Sequence, residues 1–293
     1  MNRPLIILLA CLTSFFFLAA IILARMPAPV QKRVKETNAI QPTERLYSKA
    51  LATTTIAPSL AGSVVPTKKI TPTTTPISTS PTPSPTIAIA KTTVKIMPMG
   101  DSITDGVFFP GGYRTYLWSM LQQNGYNVDF VGSLANGSSD LGDWNHEGHI
   151  GWDTGTLAGA SSSLVVAAQP DIILLHIGTN DLDHGSPGET ITGSLSTLLA
   201  NIFAAKPDTF VIVSTIVTSR GDKNAWANYN GAIPGLVSIY RGQGRRISYV
   251  DMSQGLTEAD LYDGIHPNTT GYIKMAAYWY PTLTTVYSQL QSQ

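Results

Sequence analysis

Val94-Lys-Ile-Met-Pro-Met-Gly-Asp-Ser-Ile-Thr-Asp-Gly106 decides how the rest of the chain is read. Its first six residues form a short, mostly apolar run, and a Gly-Asp-Ser turn follows at once. A run so short and so apolar suits a parallel strand buried on both faces. Four more such runs follow at Val128–Val131, Ile172–Ile177, Phe210–Ile216 and Ile247–Val250. Amphipathic stretches separate them. Leu195, Leu198, Leu199 and Ile202 recur at helical spacing, and the segment from Arg114 to Asn124 sets Leu117, Met120 and Leu121 on one side before Gly125 stops it. This alternation predicts an α/β fold, an open five-stranded parallel sheet with helices on both faces. Active residues then belong in loops at the carboxyl ends of the strands.

Ahead of this pattern the 293-residue chain changes character. Leu5 to Ala24 is apolar apart from Thr13 and Ser14, with Arg3 before it. About 20 apolar residues suffice to span a bilayer, whereas a signal-peptide core runs to about 7–15. No small-x-small cleavage site is evident, since Pro29 follows Ala28. Residues 1–25 therefore read as a membrane anchor in preference to a cleaved signal segment. Residues 26–93 read as a linker, basic at first (Lys32, Arg33, Lys35) and then rich in Ser, Thr and Pro, as in Thr71-Pro-Thr-Thr-Thr-Pro76. Such sequence behaves as an extended spacer, often O-glycosylated outside the cell. The basic residues after the apolar run favour a cytoplasmic side, but a spacer makes most sense if it reaches outward. The expectation is an extracytoplasmic domain over 94–293.

The formal net charge of zero hides a split. Ten Lys and Arg face two Asp and Glu up to Lys91, and nine face seventeen beyond it, so +8 is followed by −8. The acidic domain is a poor nucleic-acid binder. The basic arm suits an anionic lipid or cell-wall polymer, or simply a solvated tether. Cys11, the one cysteine, lies in the apolar run, so the domain has neither a disulfide framework nor a cysteine metal cluster.

Three polar blocks fall at predicted strand ends: Met99-Gly-Asp-Ser-Ile-Thr-Asp-Gly106, Ile177-Gly-Thr-Asn-Asp181 and Asp263-Gly-Ile-His-Pro-Asn268. A Ser, a distant His and an Asp close to that His are the parts of a serine nucleophile system. A serine hydroxyl is weakly nucleophilic near neutral pH, so an imidazole must take its proton, and a carboxylate on the other ring nitrogen fixes the tautomer. Asp263 and His266, three residues apart, can meet in that way while the ring faces Ser102. The Gly-x-Ser-x-Gly elbow of α/β-hydrolases is absent, because Thr104 stands where it needs Gly.

The order of these blocks resembles the SGNH hydrolase superfamily, named for its Ser, Gly, Asn and His. Gly100-Asp101-Ser102 matches the first block, Gly151 in His149-Ile-Gly-Trp-Asp-Thr154 the second, Gly178-Thr-Asn-Asp181 the third and Asp263-Gly-Ile-His-Pro267 the fifth. The chain is also similar to acetyl xylan esterases of carbohydrate esterase family 3. That likeness is carried by Ile96-Met-Pro-Met-Gly-Asp-Ser-Ile-Thr-Asp-Gly106, Gly111-Gly-Tyr-Arg114, Val128-Asp-Phe-Val-Gly-Ser133, His146-Glu-Gly-His149 and Leu174-Leu-His-Ile-Gly-Thr-Asn-Asp181. The resemblance implies a three-layer α/β/α sandwich of the flavodoxin-like kind around a five-stranded parallel sheet. It implies removal of acetyl groups from a polysaccharide, with no metal or organic cofactor. Ser102 is then the nucleophile, His266 the base and Asp263 its orienting acid. The N–H groups of Ser102 and Gly151 and the side chain of Asn180 form the oxyanion hole.

Neighbouring residues read more modestly. Trp152 and Trp144 suit either sugar stacking or core packing. His176 reads as a packed core histidine, Asp101 as a brace for the nucleophile loop, and Arg114 as a partner for loop carboxylates. His146 and His149 flank Glu147 without His-Glu-x-x-His spacing, so no metal is assigned to them. Two other functions compete with carbohydrate deacetylation. A lipase, lysophospholipase or thioesterase is disfavoured by the lack of a long apolar lid, and an inactive binding relative by the intact set of Ser, Asn, Asp and His.

Overall fold

The computed structural model describes residues 92–217 and 221–292. The anchor or signal segment over 1–25 and the linker up to 91 lie outside the described residues. Strand β1 (Val94–Gly100) runs into the short helix α1 (Ser102–Asp105) and helix α2 (Gly112–Gln123). Strands β2 (Val128–Phe130), β3 (Leu134–Ala135) and β4 (Asn145–Gly148) follow, then helix α3 (Thr154–Ala168). Strand β5 (Ile172–His176) leads to helices α4 (Thr179–Asp183) and α5 (Gly188–Ala205). Strand β6 (Phe210–Ser214), helix α6 (Lys223–Gly242), strand β7 (Ile247–Val250), a single 3₁₀ turn (Glu258–Asp260) and helix α7 (Thr269–Gln291) complete the unit.

Each of the five short apolar runs from Val94 onward contains a strand, and all five pair in parallel. The described sheet has seven strands in the order β3-β4-β1-β5-β6-β7, with β2 also on β1. The two extra strands are short. β2 pairs with Val94–Ile96 and β4 with Met99 and Gly100, so they share one edge of β1 in succession while β5 pairs with Ile96–Gly100 on the other. β4 gives no apolar signal because it reads Asn-His-Glu-Gly. Its burial is made tolerable by hydrogen bonding: Glu147 accepts the Ser133 N–H and hydroxyl at 2.7 Å each and meets His149 Nε2 at 2.6 Å.

Alternation along the strands explains the unbroken apolar runs. Ile173 and Leu175 of β5, with Met97 and Met99 of β1, pack on α3, α5 and α6. Ile172 and Leu174, with Ile96, face the other way onto α2 and α7. Both faces are dry, so every position must be apolar. The helical stripe 195, 198, 199, 202 is wholly buried, each such leucine or isoleucine contributing about 1.5–3 kcal/mol. Among the described residues no helix is long and apolar enough to cross a membrane; Leu5–Ala24 falls outside them.

Two histidines are sealed into this frame. His146 of β4 is fully buried, and burial, with the nearby charges of Arg114 and His149, pulls its pKa down to about 3. Its Nδ1 accepts the N–H of Gly148 at 3.0 Å, a bond that protonation of that nitrogen abolishes. Burial lowers His176 in the same direction, against the opposing pull of Asp101. An unfolded histidine titrates near 6.5. Stability from a neutral His146 is therefore complete above pH 6.5 and drains away as pH falls towards 3, because the unfolded chain binds the proton more tightly. Urea midpoints measured from pH 7 down to pH 4 should fall. His146→Asn should flatten that slope by about one proton, on the order of 1.4 kcal/mol per pH unit.

Candidate active site

The strand ends bring the polar blocks together. Gly100 pairs with His176 on one side and Gly148 on the other, so β1, β4 and β5 end level. The residues that follow them, Ser102, Gly151 and Asn180, therefore leave the sheet side by side. They stand where the strand order reverses, with β2 and β4 on one side of β1 and β5 on the other, the position at which open α/β sheets hold their ligands.

Asp101, and not Ser102, caps α1: its Oδ1 accepts the Ile103 N–H at 2.9 Å. Ser102 is thus the first helical residue. Its N–H has no intrahelical acceptor, and its hydroxyl is free to look outward. The second carboxylate oxygen of Asp101 is buried without a hydrogen-bond partner. Burial raises the pKa of this group, with His176 the strongest opposing influence. Asp101 braces the turn from below.

Ser102 Oγ lies 2.8 Å from His266 Nε2, and His266 Nδ1 lies 2.9 Å from Asp263 Oδ2. An ionised carboxylate only accepts, so Nδ1 carries the ring proton and the Nε2 lone pair faces the hydroxyl. Asp263 Oδ1 in turn accepts the backbone N–H groups of His266 at 2.8 Å and Ile265 at 3.0 Å. Burial works to raise the Asp263 pKa, but these N–H groups and the imidazole outweigh it and hold the carboxyl below its usual range. The loop is closed at its base by the Leu261–Pro267 bridge and by the Tyr262 N–H on the His266 carbonyl at 2.8 Å. Asn268, and not Asp263, caps α7, which leaves Asp263 to the imidazole.

Gly151 sits in the tight turn closed by the Trp152 N–H on the His149 carbonyl at 3.2 Å, with φ of +80°. That backbone conformation is open to glycine and strained for other residues. Asn180, near the start of α4, donates one amide proton to the Trp152 carbonyl at 2.8 Å, which leaves its second proton for another acceptor. Asp181 takes both the N–H and the hydroxyl of Thr154 at 2.9 Å and so ties the start of α3 to α4. Burial raises its pKa, and the two Thr154 bonds oppose that. Between them, Asn180 and Asp181 hold the 149–153 turn against the end of the sheet that carries Ser102.

The two tryptophans part company. Trp152 is half-buried and stacks on His149 at 3.7 Å, beside Asn180. Trp144 is 48% exposed, with its indole N–H on the Ser138 carbonyl, and belongs to an outer loop. Arg114 corrects an expectation. The guanidinium binds backbone carbonyls, those of Thr104 and Asp105 at 2.9 Å, Asn136 at 3.1 Å and Trp144 at 3.2 Å, together with the Asn136 side chain at 2.7 Å. It is fully buried, and burial pulls its pKa down to about 10, so it stays charged at neutral pH. Carbonyls suit the buried cation because each is a fixed dipole already stripped of water, whereas the carboxylate of Asp105 turns to Asn136 instead. Two aromatic residues next to His266, Phe108 and Tyr262, were not among those expected at the site. Each stands in a turn-rich stretch where sequence periodicity carries no signal.

A sequence profile of the GDSL-like Lipase/Acylhydrolase family matches residues 99–273, a span that contains every residue of this site. The chain belongs to that family. The chain is similar to the "Multidomain esterase" of Ruminococcus flavefaciens, 35% identical over 227 residues. That match takes in 67% of this chain and only 29% of the relative's length. Two solved structures resemble it over almost the whole of their own length. A family 3 carbohydrate esterase from Clostridium thermocellum shares 34% identity at a TM-score of 0.61, covering 68% of this chain and 99% of that one. A carbohydrate esterase family 3 protein from Talaromyces cellulolyticus shares 32% at 0.61, covering 67% and 99%.

A hydroxyl, an imidazole and a carboxylate in series can activate an oxygen nucleophile. Asp263→Asn tests the last link, since an amide does not enforce the ring tautomer. Its kcat on p-nitrophenyl acetate should fall on the order of 10²–10⁴, while a thermal melt shows little change.

Proposed function

We propose that this chain removes acetyl groups from a carbohydrate, acetylated xylan or a similar polysaccharide, through an acyl-enzyme at Ser102. The observation that carries the reading is the unbroken relay Ser102–His266–Asp263, with Oγ and Nε2 at 2.8 Å. Likeness to family 3 carbohydrate esterases over almost the whole of those structures supports the substrate class.

Ser102 attacks the ester carbonyl as His266 accepts its proton, an effect worth about 10²–10⁴-fold. Charge builds on the former carbonyl oxygen, which the N–H groups of Ser102 and Gly151 and the spare amide proton of Asn180 receive. Such donors matter because they are already aligned when the charge appears. The imidazolium, stabilised by Asp263, then protonates the leaving alcohol. Water, deprotonated by the same imidazole, attacks the acetyl-enzyme and releases acetate. Every proton in this sequence passes through His266, so no metal is required.

The domain acts outside the cytoplasm in this proposal, held there by residues 1–25 if that segment stays uncleaved. The Ser, Thr and Pro-rich composition of the linker and the polymeric substrate both support that placement.

Assays on residues 92–293 with p-nitrophenyl esters from acetate to palmitate, followed by acetate release from acetylated xylan, test the reaction. Acetate should be preferred, and Ser102→Ala should abolish both activities; a preference for long chains would overturn the deacetylase reading. Asn180→Ala should lower kcat by about 10²–10³, and a large drop in Tm instead would make Asn180 a structural residue.

A further inference from the structure

Two large apolar side chains stand exposed beside the catalytic ring. Phe108 at 54% and Tyr262 at 56% are the two most exposed Phe, Tyr or Trp rings among the described residues, and they lie together as one patch. They come from different loops, Phe108 from the segment after α1 and Tyr262 from the turn that carries His266. Their centroids are 5.0 Å apart, and Phe108 meets the His266 ring edge-on at 5.3 Å. Phe109 backs Tyr262 at 5.6 Å and itself leans on the buried Tyr272 at 6.1 Å. The Tyr262 N–H bond to the His266 carbonyl ties that platform to the catalytic loop. Two rings held from behind and open in front form a prepared surface and not a frayed one.

We infer that Phe108 and Tyr262 form the subsite for the alcohol half of the ester, with the acetylated sugar ring lying against them. The inference rests on the carbohydrate esterase reading above and says where the sugar sits. Its logic is positional. His266 must hand its proton to the departing oxygen, so that oxygen lies at Nε2 and the rest of the alcohol extends over whatever flanks His266. The carbonyl oxygen lies towards Ser102, Gly151 and Asn180, at the ends of β1, β4 and β5. Phe108, whose ring meets that of His266, and Tyr262 packed beside it are therefore on the leaving-group side. Sugar is the occupant because a pyranose offers a face of C–H groups to an aromatic ring while its hydroxyls stay in water. An open platform of this kind also leaves a polymer free to run on in both directions.

The experiment compares alcohols at constant acyl group. For wild type, Phe108→Ala, Tyr262→Ala and the double variant, kcat/KM is measured on acetylated xylo-oligosaccharides and on ethyl acetate. The ratio of the two should fall about tenfold for each ring removed, mainly through KM. Phe108→Tyr and Tyr262→Phe should keep the wild-type ratio, because the face and not the hydroxyl makes the contact. Equal losses on both esters would overturn the subsite and leave the rings as props for His266. A change in acyl-chain preference, read with p-nitrophenyl acetate to hexanoate, would place the rings on the acyl side and also overturn it. A wild-type enzyme that hydrolyses ethyl acetate but no acetylated saccharide would sink the carbohydrate reading itself, and the sugar as occupant with it.

Discussion

No side chain fits at Gly100. A Cβ there would stand 2.0 Å from the carbonyl oxygen of His176 and 2.7 Å from the Thr104 hydroxyl. This close approach lets β1 and β5 finish at the same level, and it lets α1 turn back over the end of the sheet. Ser102 and Asn180 are neighbours in space for that reason, although 78 positions separate them in the chain. Every other part of the site is positioned relative to this junction. The 149–153 turn is drawn in by Asn180 and Asp181, and the His266 loop descends onto Ser102 from the far side.

Around that junction the molecule spends its buried polar groups on shape. Arg114 collects carbonyls from Thr104, Asp105, Asn136 and Trp144, and so fastens the nucleophile loop to the outer loop and to the start of α2. A buried cation left unpaired is costly, on the order of several kcal/mol, so the carbonyls cannot drift once it is in place. Glu147 does the same with opposite sign, gathering Ser133 and His149 beneath Trp152. The chain Ser102–His266–Asp263 is by contrast partly open to solvent, with the His266 and Asp263 side chains 17% and 32% exposed.

Much of this could be read from residues alone, and the reasons are physical. Strands buried on both faces must be apolar at every position, so β1, β5 and β6 announce themselves. The Gly-Asp-Ser, Gly-Thr-Asn-Asp and Asp-x-x-His blocks could be assigned to one site because they fall at strand ends of a parallel sheet. What stayed hidden was whatever depends on hydrogen bonds and not on periodicity. β4 carries Asn, His and Glu, and nothing in that composition predicts a strand. Asp101 reads from sequence only as a brace, and that it caps α1 shows only in the direction of the Ile103 N–H. Arg114 could be placed near the loops, but whether it would meet carboxylates or carbonyls depended on where Asp105 turned. Phe108 and Tyr262 lie 154 positions apart, so their pairing exists only in the folded chain.

Ser102 and His266 are 164 residues apart in the chain, and strands β5, β6 and β7 must all be laid down between them. Closing so large a loop is entropically slow, and the parallel sheet offers no local shortcut. The hydroxyl therefore stays an ordinary, unreactive serine throughout synthesis and early collapse. Turnover needs the 261–267 loop docked against Ser102, and its return during refolding reports that contact.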